Sequence, residues 1–285
     1  MPASALVLVL LAAGAHAGWN VLAKTASGGA AFVWLFTVAA VVIYLPVLAV
    51  ALAVDPGPVD AAGIGFMAGS GALHALYFVA LQRGYREGDL SLVYPLARGT
   101  GPLLSTVAAI AIFAERPSAL ALAGGAIIVA AVLSLALRGH ARAGGGGRAV
   151  GFALLTGVAI AGYTLWDKQA VGPHGLSPVV YYWGTNLAEG LLLTPFVLHR
   201  GPELRRTWVA YRRQALGVAV LSPLAYILVL FALARAPVSY VAPARELSIL
   251  AGAVLGTTVL SEGDTRRRLL AAGAICAGIA ALALG

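Results

Sequence analysis

Residues 90–116 read LSLVYPLARGTGPLLSTVAAIAIFAER, and residues 238–263 read VSYVAPARELSILAGAVLGTTVLSEG. Each stretch carries a Ser, then a Pro, then an Arg, and then a Glu 17 residues beyond the Arg: Arg98 to Glu115, and Arg245 to Glu262. A second echo links GWNVLAK at 18–24 with GYTLWDK at 162–168, an offset of 144. Both place an aromatic after Gly and a Lys six residues beyond that Gly. Apolar low-complexity segments resemble one another in their apolar content, but not in the spacing of their Pro, Arg, Glu and Lys. The chain therefore reads as one design written twice.

The 285 residues around these echoes are 60% hydrophobic and only 11% charged, with a mean hydropathy of +0.90. A soluble globule averages about 25% charged residues, so too few polar side chains remain to cover a water-facing surface. Long, predominantly apolar runs fall at 3–23, 31–54, 60–82, 89–114, 117–137, 149–170, 177–198, 214–234, 237–260 and 267–284. Each is near the length of about 20 residues that a helix needs to cross hydrocarbon. None alternates with a period of two, as a membrane β-barrel strand would. The expected fold is an all-α, polytopic transmembrane bundle of ten helices.

Ten helices in two copies make five per copy, and an odd number turns the second copy upside down. The expected organisation is a five-helix repeat at 1–138, a Gly/Arg linker at 139–148 and an inverted five-helix repeat at 149–285. Inverted repeats of this kind are typical of secondary transporters, whose site lies near the midplane between the halves. The glycine run 144–147 reads as flexible linker and not as a phosphate cradle. Ala15-His16-Ala17 resembles a signal cleavage site, but the preceding segment has no basic side chain. It reads as the first span.

The formal charge of +8 sits at helix ends and short loops, as the positive-inside rule requires, so no nucleic-acid partner is expected. Cys276 is the single cysteine, which rules out an intramolecular disulfide and a cysteine metal cluster. No nucleotide, zinc-protease or serine-hydrolase motif appears. No cofactor, metal or catalytic residue is expected. The expected partners are a lipid bilayer and a small-molecule solute.

Ionisable groups inside a span are functional candidates by default. Arg98 lies about 13 Å from the start of its span, near mid-membrane, and Arg245 occupies the matching depth. Pro95, Pro102 and Pro243 are expected to break these two helices, since each removes a helical hydrogen bond. A buried guanidinium in a broken helix suits a carboxylate or phosphate. The same arginines also read as structural ion pairs with Glu189 and Glu246, taken as the carboxylates deepest in the spans. His16, Asn20 and Lys24 share one face of the first helix, at i, i+4 and i+8. His74 with Tyr77, and Tyr182 with Asn186 and Glu189, form similar polar stripes. These residues read either as solute-path lining or as interhelical hydrogen bonding. Glu189, Glu246, His16 and His74 are the titratable groups to which a proton could couple. The GxxxG pairs Gly14/Gly18, Gly65/Gly69 and Gly252/Gly256 read as helix-packing positions.

The W-N-x-x-x-K end of the first helix (Trp19, Asn20, Lys24), the Pro/Arg-bearing fourth helix, and Glu115 and Glu262 together resemble the drug/metabolite transporter superfamily, in particular its EamA-type permeases. His16 to Lys24, with GDLSLVYPLARGTGP at 88–102, is similar to a subgroup associated with phosphonate utilisation. The resemblance covers essentially the whole chain. It implies ten helices in two repeats and both termini in the cytoplasm. The charge count points the other way. Fourteen basic residues follow odd-numbered spans, and three (Arg116, Lys168, Arg235) lie opposite, which puts both termini outside.

The leading expectation is a secondary-active transporter of a small polar or anionic metabolite in a cell membrane, a bacterial inner membrane in particular. A lipid-linked-sugar flippase subunit and a non-transporting assembly protein are the alternatives. An enzyme would cluster its carboxylates or histidines at one membrane face, whereas here the polar groups gather mid-span. Substrate, direction, coupling ion, and a monomeric or dimeric state are left open by the sequence.

Overall fold

A computed structural model describes residues 1–26, 29–88, 90–140, 147–248 and 265–285. Every element among them is a helix. The first half forms α1 (Ala3–Lys24), α2 (Gly29–Ile43), α3 (Leu45–Val54), α4 (Ala61–Glu87), α5 (Leu90–Ile112) and α6 (Ala119–His140). The second forms α7 (Gly147–Val171), α8 (Pro178–Val197), α9 (Gly201–Arg235), α10 (Val238–Ala244) and α11 (Thr265–Leu284).

By length and composition, Ala3–Ala23, Ala61–Glu87 and Gly147–Val171 can each cross a membrane. So can Pro178–Arg235, which is α8 and α9 joined by a short turn at Leu198–Arg200. The expected second span is broken into α2 and α3, which meet at 46°. Pro46 in the first turn of α3 has no N–H to continue the ladder, and Tyr44 at the bend donates instead to the Val220 carbonyl at 2.6 Å. Polarity is arranged inside out. Val50, Val107, Ile112, Leu191 and Phe196 are exposed, whereas Arg98, Asp167, Asn186 and Glu246 are buried. Such an apolar exterior is stable only against lipid.

The most extensive helix pairings all cross between the two halves: α1 on α9, α4 on α7 and α8, α5 on α7, and α6 on α11. The halves interleave. Small residues permit this: a Cβ on Gly124 of α6 would stand 2.5 Å from the Gly278 carbonyl of α11. Outside the spans, Asp60 starts α4 by accepting from the Gly63 N–H at 2.7 Å. That hydrogen bond holds the Asp60 carboxyl below its usual range.

Two expectations are corrected. Helix α5 runs unbroken through Pro95 and Pro102. Within it the hydroxyls of Thr100 and Ser105 donate to the Leu96 and Pro102 carbonyls at 2.8 and 3.1 Å. Leu133 and Ile160 press so closely on Gly99 and Gly101 that any added Cβ would clash. Close packing by neighbouring helices can in this way keep a membrane segment helical through its prolines. Residues 201–213, read as loop, are helical and form the first part of α9, with a non-helical Tyr211 (φ −127°, ψ 19°) before the span.

Candidate functional site

Helix α10 ends at Ala244, directly after Pro243, and leaves Arg245 and Glu246 in a turn. The expected break is therefore present here and absent from α5. Glu246 faces Arg98 of α5: Oε1 is 3.0 Å from Arg98 Nη2, and Oε2 accepts from Arg98 Nε at 3.2 Å. Ser248 adds a longer contact to Nη2, at 3.4 Å. Arg98 is 6% and Glu246 2% exposed, so the pair is fully desolvated. Two-point contact between guanidinium and carboxylate is what makes such a pair tolerable in low dielectric.

Arg245 is held differently. Among the described residues it has no carboxylate within ion-pair distance. Its guanidinium lies over the rings of Tyr226 at 5.1 Å and Tyr163 at 6.0 Å, and reaches Thr164 Oγ1 at 3.5 Å. Aromatic faces and a hydroxyl offer a buried cation only partial compensation. Arg98 and Arg245 line the same cavity with Val9, Ala12, Ala13 and His16 of α1 and Val229 of α9. In this conformation it has room for about one water molecule. Both guanidiniums thus face a single small space, and Glu246 pairs with one of them, Arg98.

Beside the arginines lies a carboxylate that the sequence reading passed over. Asp167 of α7 has no solvent exposure. Its Oδ1 accepts from Ser70 Oγ of α4 at 2.7 Å and from Tyr181 of α8 at 2.6 Å, and its Oδ2 accepts from Tyr226 of α9 at 2.5 Å. Asp167 lies near the end of a predominantly apolar run, flanked by Trp166 and Lys168, and that was the available signal. Taking Glu189 and Glu246 as the deepest carboxylates is corrected accordingly. Tyr226 links the two centres, with its hydroxyl on Asp167 and its ring beneath Arg245.

The other candidates are placed unevenly. His16 lines the cavity, but Asn20 turns back to the His16 carbonyl at 2.7 Å within its own helix. His74 stacks on Tyr163 with ring centroids 4.2 Å apart, and its Nδ1 lies 2.9 Å from the Ser70 carbonyl. Tyr77 meets Tyr163 edge to face at 6.1 Å. Tyr182 packs on Tyr226 at 5.0 Å, and Asn186 donates to the Tyr182 carbonyl at 2.9 Å. Glu189 pairs with neither arginine among the described residues, which overturns that half of the ion-pair reading. Of the GxxxG positions, Gly18 meets Leu221 and Gly69 meets Trp166, while Gly14 and Gly65 face open space. Glu262, Gly252 and Gly256 lie outside the described residues, as do linker residues 141–146.

Glu115 and Lys168 hold the α9–α10 corner from its two sides. Both Glu115 carboxylate oxygens accept from the first N–H groups of α10, Val238 at 2.7 Å and Ser239 at 2.9 Å. Lys168 Nζ donates to the Leu233 carbonyl at 2.6 Å and the Ala236 carbonyl at 3.1 Å, where α9 ends. An anion at a helix start and a cation at a helix end both oppose the local backbone charge. These motif residues set the angle at which Arg245 is delivered.

Residues 147–284 match the EamA-like transporter family. That match spans the C-terminal part of the chain, α7 to α11. The matched segment contains the GYTLWDK and Pro243–Arg245 signatures, whose echoes lie in the first half. No curated protein matches the chain. A protein solved by crystallography has the same fold, with a TM-score of 0.74 over 98% of either chain at 15% identity. The apolar exterior and the similarity to the EamA-like transporter family are those of an integral membrane protein.

Proposed function

We propose that this EamA-like protein is a secondary-active transporter of a small anionic metabolite. Two inverted five-helix units, 1–138 and 149–285, joined by the linker at 139–148, would rock about the arginine cavity. One observation carries the reading: Arg98 and Arg245 share one buried space, and among the described residues Arg98 has a carboxylate, Glu246, at ion-pair distance while Arg245 has none. A single negative group entering the cavity would neutralise the remaining guanidinium in a setting where water cannot screen it. Carboxylate, phosphate and phosphonate all match a planar guanidinium donor. The constricted cavity fits an occluded conformation that opens toward either side. A bacterial inner membrane is the proposed location.

The test is uptake into proteoliposomes across a panel of small carboxylates, phosphates and phosphonates, with Arg245→Gln beside wild type. Arg245→Gln is expected to reduce anion flux by about 100-fold while the helical circular dichroism spectrum is retained. Wild-type flux in that variant would remove Arg245 from the solute path.

A further inference from the structure

We propose that the first part of α9 is a binding surface for anionic phospholipid headgroups. Arg205, Arg206 and Val209 follow at i, i+1 and i+4 on one face of the helix, and Arg212 and Arg213 continue the basic run directly after the non-helical Tyr211. All five are exposed. The opposite face is turned into the protein, with Thr207 and Ala215 buried and Tyr211 edge-on to Phe32 of α2 at 6.4 Å. Arg200 of the preceding turn adds a further cation, opposed by Glu203 at 3.8 Å. Five arginines against one glutamate lie at one end of an apolar span.

Two further observations select lipid as the occupant. Trp208, 37% exposed, sits within the basic segment, and Phe196 and Leu198 are exposed just before it. Exposed aromatic and aliphatic side chains beside clustered arginines match the boundary between headgroups and acyl chains, where the ring is apolar-seated and the cation meets phosphate. The non-helical Tyr211 lies inside the basic segment, between Arg206 and Arg212, so the direction of residues 201–210 is set apart from that of the membrane-crossing part of α9. A helix bearing cations on one face and seated at that depth holds anionic lipid by charge. No other part of the transport reading depends on this surface, so either can fail alone.

Trp208 serves as the probe. The protein is reconstituted in bilayers containing brominated phosphatidylglycerol or brominated phosphatidylcholine. Quenching of Trp208 is taken as the difference between wild type and Trp208→Phe. Phosphatidylglycerol is expected to reach half-quenching at about fivefold lower mole fraction than phosphatidylcholine, the factor for one headgroup held by one arginine. That preference should shrink at about 0.5 M salt, and should vanish in the quadruple variant Arg205→Gln, Arg206→Gln, Arg212→Gln, Arg213→Gln. Equal quenching by the two lipids in wild type, or a preference retained in the quadruple variant, would overturn the proposal. If that variant does not fold, the salt series on wild type decides, and a salt-insensitive preference has the same overturning force. Tight binding of a short oligonucleotide without any lipid preference would assign the face to nucleic acid instead.

Discussion

Helices α5 and α10 come from the same segment of the duplicated design, yet they present their arginines in different ways. Aligning Ser91 with Ser239 and Pro95 with Pro243 is an offset of 148, which places Glu246 opposite Arg98. Arg98 is the third residue after its proline, and Arg245 only the second. One residue shifts a side chain by about 100° around a helix. Helix α5 carries its prolines without a break and aims Arg98 at the partner half, whereas α10 stops and offers Arg245 and Glu246 from a turn. Equivalent positions of two interleaved halves meet each other near their shared axis. Two identical arginines there would repel. The shortened spacing replaces one of them by a glutamate and swings the displaced arginine toward Tyr163 and Tyr226. On this alignment, a one-residue difference in spacing puts a glutamate where the first stretch has Arg98, and the two form an ion pair.

That account predicts unequal damage. Glu246→Ala strands the Arg98 guanidinium without its counter-ion and should cost about 3–5 kcal/mol, whereas Arg98→Met combined with Glu246→Leu should recover most of the loss. Chemical unfolding in detergent measures both. A stable Glu246→Ala would show that the pair is solvated and that the register argument fails. Glu115→Ala removes a charged acceptor shared by two N–H groups at the start of α10 and should cost about 1–3 kcal/mol. It should also raise hydrogen exchange at Val238 and Ser239, which needs no helper at the α5 side of the comparison to interpret. The smallest effect is expected from Tyr226→Phe, which keeps the ring under Arg245 but removes one of three hydroxyls on Asp167, at about 1–2 kcal/mol. Anion flux should survive Tyr226→Phe within about tenfold, far above the Arg245→Gln level, if the ring and not the hydroxyl supports Arg245. Comparable flux in these two variants would place Asp167 in the solute path as well.

Much of the fold was legible because membrane solvent is a severe filter. Spans expected at 60–82, 149–170 and 177–198 correspond to α4, α7 and α8, since hydrocarbon tolerates only helices there. The break after Pro243 was legible too. The breaks at Pro95 and Pro102 were misread because whether a proline interrupts a membrane helix depends on the side chains packed against it, here Leu133 and Ile160, which are distant in sequence. Asp167 was missed for a related reason. Its role rests on Ser70, Tyr181 and Tyr226, which come from three other helices, and no local spacing connects them.

The sequence by itself determined the solvent, the helical class, the doubled design, and the presence of two arginines deep in the apolar spans. All of these follow from composition and from period and spacing along one chain. Only the tertiary structure decided that Glu246 and not Glu189 answers Arg98, that Arg245 is left to aromatic rings, and that both guanidiniums share one cavity. Ion pairing and burial are set by distances of a few ångströms between segments about 150 residues apart, and a linear pattern has no coordinate for that separation.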